Sequence, residues 1–411
     1  MPECGRLKVQ PGPTQFNLQV TAMTSSPLFP ASGTSRRSFL QMAGLAAVLP
    51  IMTEGHLAWA AQRAAVKSSF PKLPHPSDPN AVLINANENP LGPCAEALAA
   101  ITAIAKTGGR YDATGCQDEL TALLAQTYGV PADHIWIYAG SSEPLQFAAM
   151  AFTSPSNPYI AADPTYESGW RAAEGNGAKV IKVPLTSTYA HDMKAMVSAD
   201  PNAGLIYICN PNNPTGTLTS KEDIVWALDN KPKGTIIMVD EAYIQIADNP
   251  SVLDQVIAGK DLIVLRTFSK IYGMAGIRCG VAIGRPELLG KMMVYGMNPL
   301  PVTGVAAACA SLKLPSLVPT RRKIIADTRN ATFKWLDSNG YKYIPSVSNC
   351  FMIDTGRPGR EVMAAMQKQD VYIGRSWPIW PNYVRITVGT PHEMAVFQNA
   401  FHKVMSSTVS A

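Results

Sequence analysis

The chain has 411 residues, of which 46% are hydrophobic, 16% charged and 8% aromatic, a globular composition that excludes a disordered or fibrous protein. Its formal net charge of +5 is spread without a dense Lys/Arg run, so neither nucleic acid nor an anionic membrane surface is expected as a partner. The cysteines, from Cys4 to Cys350, form no Cys-x-x-Cys pair and no zinc spacing; they read as small buried residues, and no metal site is expected.

The first sixty residues read as an address. Ser35-Arg36-Arg37-Ser38-Phe39-Leu40-Gln41 precedes an apolar stretch from Met42 to Met52, and Ala58-Trp59-Ala60 places small residues ahead of a cut before Ala61. The apolar stretch is too short for a stable membrane span. The paired arginines with Phe-Leu beyond them resemble a twin-arginine export signal, which implies a periplasmic mature protein without membrane attachment. The alternative is a disordered tail with a chance Arg-Arg pair. Met23 can serve as the start, since residues 1–22 add nothing such a signal needs. Residues 61–80 hold Pro71, Pro74, Pro76 and Pro79 among polar residues and read as a linker or arm.

From residue 81, short apolar runs alternate with segments of helical period. Ile135–Tyr138, Tyr159–Ala162, Leu205–Cys209, Ile236–Val239 and Ile263–Leu265 are strand-length, β-branched and apolar throughout, as strands buried on both faces are. Helical patterns such as Gln117–Tyr128 and Lys221–Asp229 lie between them. The alternation predicts an α/β fold: a large domain (81–314) with a mainly parallel sheet flanked by helices. A second block, 315–411, opens with a long helix through Arg321, Arg322 and Lys323 to Leu336. Strand candidates follow at Tyr341–Ile344, Cys350–Ile353 and Val384–Val388, which predicts a small C-terminal α/β domain.

Open parallel sheets bind ligands beyond the carboxyl ends of their strands. Gly140-Ser141-Ser142-Glu143, Asn210–Gly216, Asp240–Tyr243 and Thr267–Lys270 each follow a predicted strand and so converge on one place. Together they meet the requirements of pyridoxal phosphate (PLP). Lys270 supplies the amine that bonds the cofactor aldehyde and then shuttles protons. Asp240, ending a buried strand, keeps the ring nitrogen protonated. Asn213 and Tyr243 are candidate donors to the ring hydroxyl. Gly140-Ser141-Ser142 at a helix start, with Arg278, suits the phosphate. Tyr166 is placed to stack on the ring.

These segments resemble the class I/II aminotransferases of fold type I, most closely the histidinol-phosphate aminotransferase branch. The match runs in order through Asn85-Ala86-Asn87-Glu88-Asn89-Pro90, Arg110-Tyr111, Gly140–Glu143, Pro164–Tyr166, Asn210–Gly216, Asp240-Glu241-Ala242-Tyr243, Thr267–Lys270 with Arg278, and Arg385–Thr390, covering roughly residues 81–405. The resemblance implies transamination between an amino donor and a 2-oxo acid. It also implies a homodimer in which Tyr111 reaches the neighbouring subunit's cofactor phosphate, with Thr267 and Ser269 assisting Arg278. Substrate contacts are implied for Arg385, Arg375, Asn89 and Asn213. Arg375 stands where histidinol-phosphate enzymes bind the substrate phosphate, yet the aromatic run Trp377–Tyr383 follows it; that run is either a packed loop or an apolar wall beside the substrate. Decarboxylation or oxidative deamination on the same scaffold stays open at this level, as does a non-catalytic cofactor-binding role.

Overall fold

The computed structural model describes residues 78–407 apart from residues 113 and 297. The export segment and nearly all of the 61–80 arm lie outside the described residues. In chain order the strands are β1 (Val82–Ile84), β2 (Ile135–Tyr138), β3 (Tyr159–Asp163), β4 (Val180–Pro184), β5 (Leu205–Cys209), β6 (Ile236–Asp240), β7 (Leu262–Thr267), β8 (Gly280–Gly284), β9 (Lys342–Ile344), β10 (Cys350–Asp354), β11 (Val371–Ile373) and β12 (Tyr383–Thr387).

A seven-stranded sheet has the order β2-β8-β7-β6-β5-β3-β4. β3 to β7 run parallel, and only β8 opposes its neighbours β7 and β2. Every residue of β5, β6, β7 and β8 is buried, the burial expected of β-branched strands covered on both faces. The chain steps outward from β3 to β4, then crosses back over β3 to β5 and continues to β6 and β7. The order therefore reverses between β3 and β5, and a crevice opens there at their carboxyl ends. Asn212 stitches the two loops bordering it: it accepts a hydrogen bond from Thr165 Oγ1 at 2.8 Å and donates to the Pro164 carbonyl at 3.2 Å.

The C-terminal part contains an antiparallel sheet, β12-β10-β9, with helices Leu317–Ser338, Gly359–Gln367 and Pro391–Ser406. The last helix starts where Thr390-Pro391-His392-Glu393 dictates: the Thr390 hydroxyl caps the Glu393 N–H while the Glu393 carboxylate takes the Thr390 N–H. Sequence periodicity missed β1, β4, β8 and β11, which are short or glycine-flanked. β1 falls within the 81–314 span assigned to the large domain, yet it pairs in parallel with β11 of the C-terminal part. That pairing joins residues nearly three hundred positions apart, a separation that local pattern does not report.

Candidate active site

A cavity of about 400 Å³ lies at the carboxyl ends of the parallel strands. Ser141 and Ser142 line one end, where helix Ser142–Phe152 begins. Neither hydroxyl caps that helix, so the helix start retains its anion-binding capacity. Arg278 faces the same place from a left-handed backbone (φ 70°), a conformation costing a non-glycine residue about 1–3 kcal/mol and one that collects at functional sites. Gly140 (φ 97°) lies so close that a Cβ there would overlap the Arg278 guanidinium. Gly280 is required for the same approach, since its Cβ would fall 2.6 Å from the Ser141 nitrogen. Arg278 Nη1 donates to the Ala275 carbonyl at 2.7 Å and reaches Ser269 Oγ at 3.5 Å. Thr267 Oγ1 donates to Ser269 Oγ at 2.9 Å.

At the cavity floor, Asp240 ends β6. Its carboxylate accepts from Tyr207 Oη at 3.1 Å and from the Ala242 N–H at 3.1 Å. Burial raises its pKa to about 6, against the lowering effect of the Tyr207 hydroxyl. Lys270 Nζ donates to the Asn87 carbonyl at 2.9 Å and lies 5.5 Å from the centre of the Tyr243 ring. Burial, and then the charge of Arg385, lower the Lys270 pKa to about 8. Tyr243, Asn213 and Tyr166 complete this part of the lining.

Arg385 is buried on β12. Its Nη1 donates to Asn213 Oδ1 at 2.8 Å and its Nη2 to the Asn85 carbonyl at 2.6 Å, while Nε is buried without an acceptor. The guanidinium therefore keeps donor capacity for an anion. Arg375 also lines the cavity, but Glu167 Oε2 pairs with it at 2.8 Å and with Arg171 at 3.4 Å. The Trp377 ring centre lies 4.5 Å from the Arg375 guanidinium carbon and 5.7 Å from that of Arg385.

Two sequence readings are narrowed or corrected. The Trp377–Tyr383 run is not an apolar wall: Trp377 is buried, donates to the Thr165 carbonyl, and shares a cluster with Ile344 and Met352 against which Tyr189, Trp380 and Tyr383 pack. Asn89 does not line this cavity, because its amide donates to the Ile271 carbonyl at 3.1 Å and its oxygen takes the Leu91 N–H. Tyr111 is 79% exposed and stands outside the site of its own chain. Conversely, Asn87 and Arg171, which line the cavity, and Glu167 and Tyr207, which bond to lining residues, were not singled out in the sequence. Asn87 lay inside a quoted motif, whereas Arg171 and Glu167 carry no signal beyond their position after Tyr166.

The profile described as "Aminotransferase class I and II" matches residues 79–401. A histidinol-phosphate aminotransferase of Symbiobacterium thermophilum is 34% identical over 324 residues, which cover 78% of this chain and 89% of that relative. An aromatic amino acid aminotransferase of Nocardia farcinica is 33% identical over 80% of this chain and 94% of its own length. Among solved structures, histidinol-phosphate aminotransferase from Sinorhizobium meliloti in complex with pyridoxal-5'-phosphate aligns with a TM-score of 0.72 at 26% identity, covering 78% of this chain and 90% of that one.

Proposed function

The chain belongs to the class I and II aminotransferase family, and from that membership we propose which of its residues carry the reaction and what it accepts. It is a PLP-dependent transaminase that moves an amino group between an amino donor and a 2-oxo acid. The site suits that cofactor by the chemistry of its donors: a carboxylate under the floor, a lysine beside it, and a helix start with a guanidinium at one end. A Cβ at Gly140 would fill the cradle formed by that last pair.

Bound PLP supplies an aldehyde that captures the amine and a ring that draws electrons from the substrate Cα. Asp240 holds the proton on the ring nitrogen; with a pKa near 6 it stays mostly ionised at neutral pH. Ser141, Ser142 and Arg278 hold the phosphate, assisted by Thr267 and Ser269. Tyr243 and Asn213 would donate to the ring oxygen, and Tyr166 would pack against the ring. Lys270 Nζ accepts the proton from the substrate Cα, a task for which a pKa near 8 leaves a usable neutral fraction near neutrality.

The donor we propose is an amino acid whose carboxylate docks on Arg385. The Arg375–Glu167 ion pair carries this choice. A phosphate monoester gains from a second free guanidinium, and here Arg375 is held by Glu167, whose carboxylate it shares with Arg171. A panel of amino acids and histidinol phosphate, read as the loss of the cofactor's visible band in half-reactions, tests it. Histidinol phosphate reacting while amino acids stay inert would overturn the proposal.

We also propose a homodimer in which Tyr111 contacts the other subunit's cofactor phosphate; its exposure supports this reading. The Arg36-Arg37 segment supports export to the periplasm.

A further inference from the structure

Two side chains of β12, Arg385 and Thr387, are two residues apart and so face the same side of the strand. Each reaches an amide at the cavity. Arg385 has only donors, so the Asn213 oxygen must face it, at 2.8 Å from Nη1. Thr387 Oγ1 accepts the backbone N–H of Asn87 at 2.9 Å, which directs its own proton onward to Asn87 Oδ1 at 3.1 Å. With its oxygen thus held, Asn87 can offer only its NH₂ to Tyr243, and Nδ2 lies 3.1 Å from Tyr243 Oη. Asn87 itself is fully buried and left-handed (φ 53°), so its side chain has little freedom to turn elsewhere.

A phenol has a single proton. Because Tyr243 Oη accepts from Asn87, that proton is free to point into the cavity. The Asn213 NH₂ is likewise left for the cavity once its oxygen is taken by Arg385 and, at 3.5 Å, by Asn87.

We propose that Thr387, acting through Asn87, is a positioning residue that sets the direction of the Tyr243 hydroxyl, so that Tyr243 and Asn213 present two donors to the cofactor's ring oxygen. This rests on the PLP reading of the site and adds residues that never touch the cofactor. Lys270, Arg385, Cys350 and Cys209 also face Tyr243: Arg385 lacks an acceptor, the thiols are weak ones, and Lys270 Nζ, 5.5 Å from the ring centre, is engaged by the Asn87 carbonyl.

Donors aimed at the ring oxygen favour its anionic form, so the bound cofactor loses its proton at lower pH. The experiment is a pH titration of the holoenzyme's visible absorption band in wild type, Tyr243→Phe, Thr387→Val and Thr387→Ser. Thr387→Val keeps the shape but removes the donor to Asn87 Oδ1, so the amide is no longer held from that side against drawing the Tyr243 proton towards itself. The transition should move upward by roughly 0.5–1 pH unit in Thr387→Val and in Tyr243→Phe. Thr387→Ser, which keeps the hydroxyl, should stay near wild type and excludes a merely structural effect. If Tyr243→Phe shifts the band while Thr387→Val does not, the inference is overturned. An unshifted Tyr243→Phe would instead overturn the placement of the ring oxygen on which the inference stands.

Discussion

Arg375 Nη1 stands 2.8 Å from Glu167 Oε2, so this cavity arginine is engaged in an ion pair, although it shares that carboxylate oxygen with Arg171 at 3.4 Å. Among the described residues, Arg385 has no carboxylate partner. The two arginines should therefore respond differently to substitution. With an amino acid donor, Arg385→Lys should raise KM roughly ten- to a hundredfold, the worth of one charge-assisted hydrogen bond, and Arg375→Lys should change it by less than about threefold. Glu167→Gln should improve kcat/KM for a phosphate monoester relative to an amino acid by roughly tenfold. Equal losses at both arginines with amino acids would contradict this assignment.

Borohydride reduction of the holoenzyme should attach the cofactor to Lys270, identified by peptide mass spectrometry. Lys270→Ala should lower turnover by more than roughly a thousandfold while still retaining cofactor through its other contacts. Modification of a different lysine would remove Lys270 from the proton-transfer role.

The raised pKa of Asp240, about 6, makes a pH-dependent prediction for cofactor capture. Above that value the carboxylate is ionised in the free site and pairs directly with the cationic ring nitrogen. As pH falls through 6, a proton must first leave the carboxyl, so the affinity of cofactor-free enzyme for PLP should fall. In Asp240→Asn this acid limb should flatten and activity should drop by roughly a hundredfold or more. Fluorescence titrations at several pH values provide the measurement, and an acid limb unchanged in Asp240→Asn would assign it to another group.

His191 is buried: its Nε2 accepts the Cys209 N–H and its Nδ1 donates to Thr219 Oγ1 at 2.9 Å. Burial depresses its pKa to about 3 from an ordinary 6.5. The sign follows from linkage: the unfolded chain binds this proton first, so the contribution is fully present above pH 6.5 and is lost as pH falls towards 3. Chemical denaturation from pH 7.5 to 5 should show falling stability in wild type and a shallower fall in His191→Gln. Parallel profiles would mean that other groups govern acid sensitivity.

Replacing Arg36 and Arg37 with lysines should leave the protein in the cytoplasm, whereas wild type should be recovered from the periplasm with an N-terminus near Ala61. Fractionation with N-terminal sequencing decides this, and undiminished export of the double variant would contradict the twin-arginine reading.

Lys270, Asp240 and Asn213 were legible in the sequence because each sits within a few residues of a strand end, and Arg278 because it follows Lys270 at the motif's spacing of eight. Apolar β-branched runs locate the strands, and a parallel sheet carries the loops after them to one edge. The cap of the last helix was equally local, being written in four consecutive residues from Thr390 to Glu393. What the tertiary structure alone decided depends on contacts between distant segments. Asn87 meets Thr387 across 300 positions, Arg375 meets Glu167 across 208, and β1 joins β11 rather than the large sheet. Asn89 shows the limit from the other side, since it shares a motif with Asn87 yet turns to the Ile271 carbonyl. Local pattern reports which face of an element is apolar and where it ends. It carries no information about which buried polar group will find which partner, because that is settled by packing and by the requirement that buried donors meet acceptors.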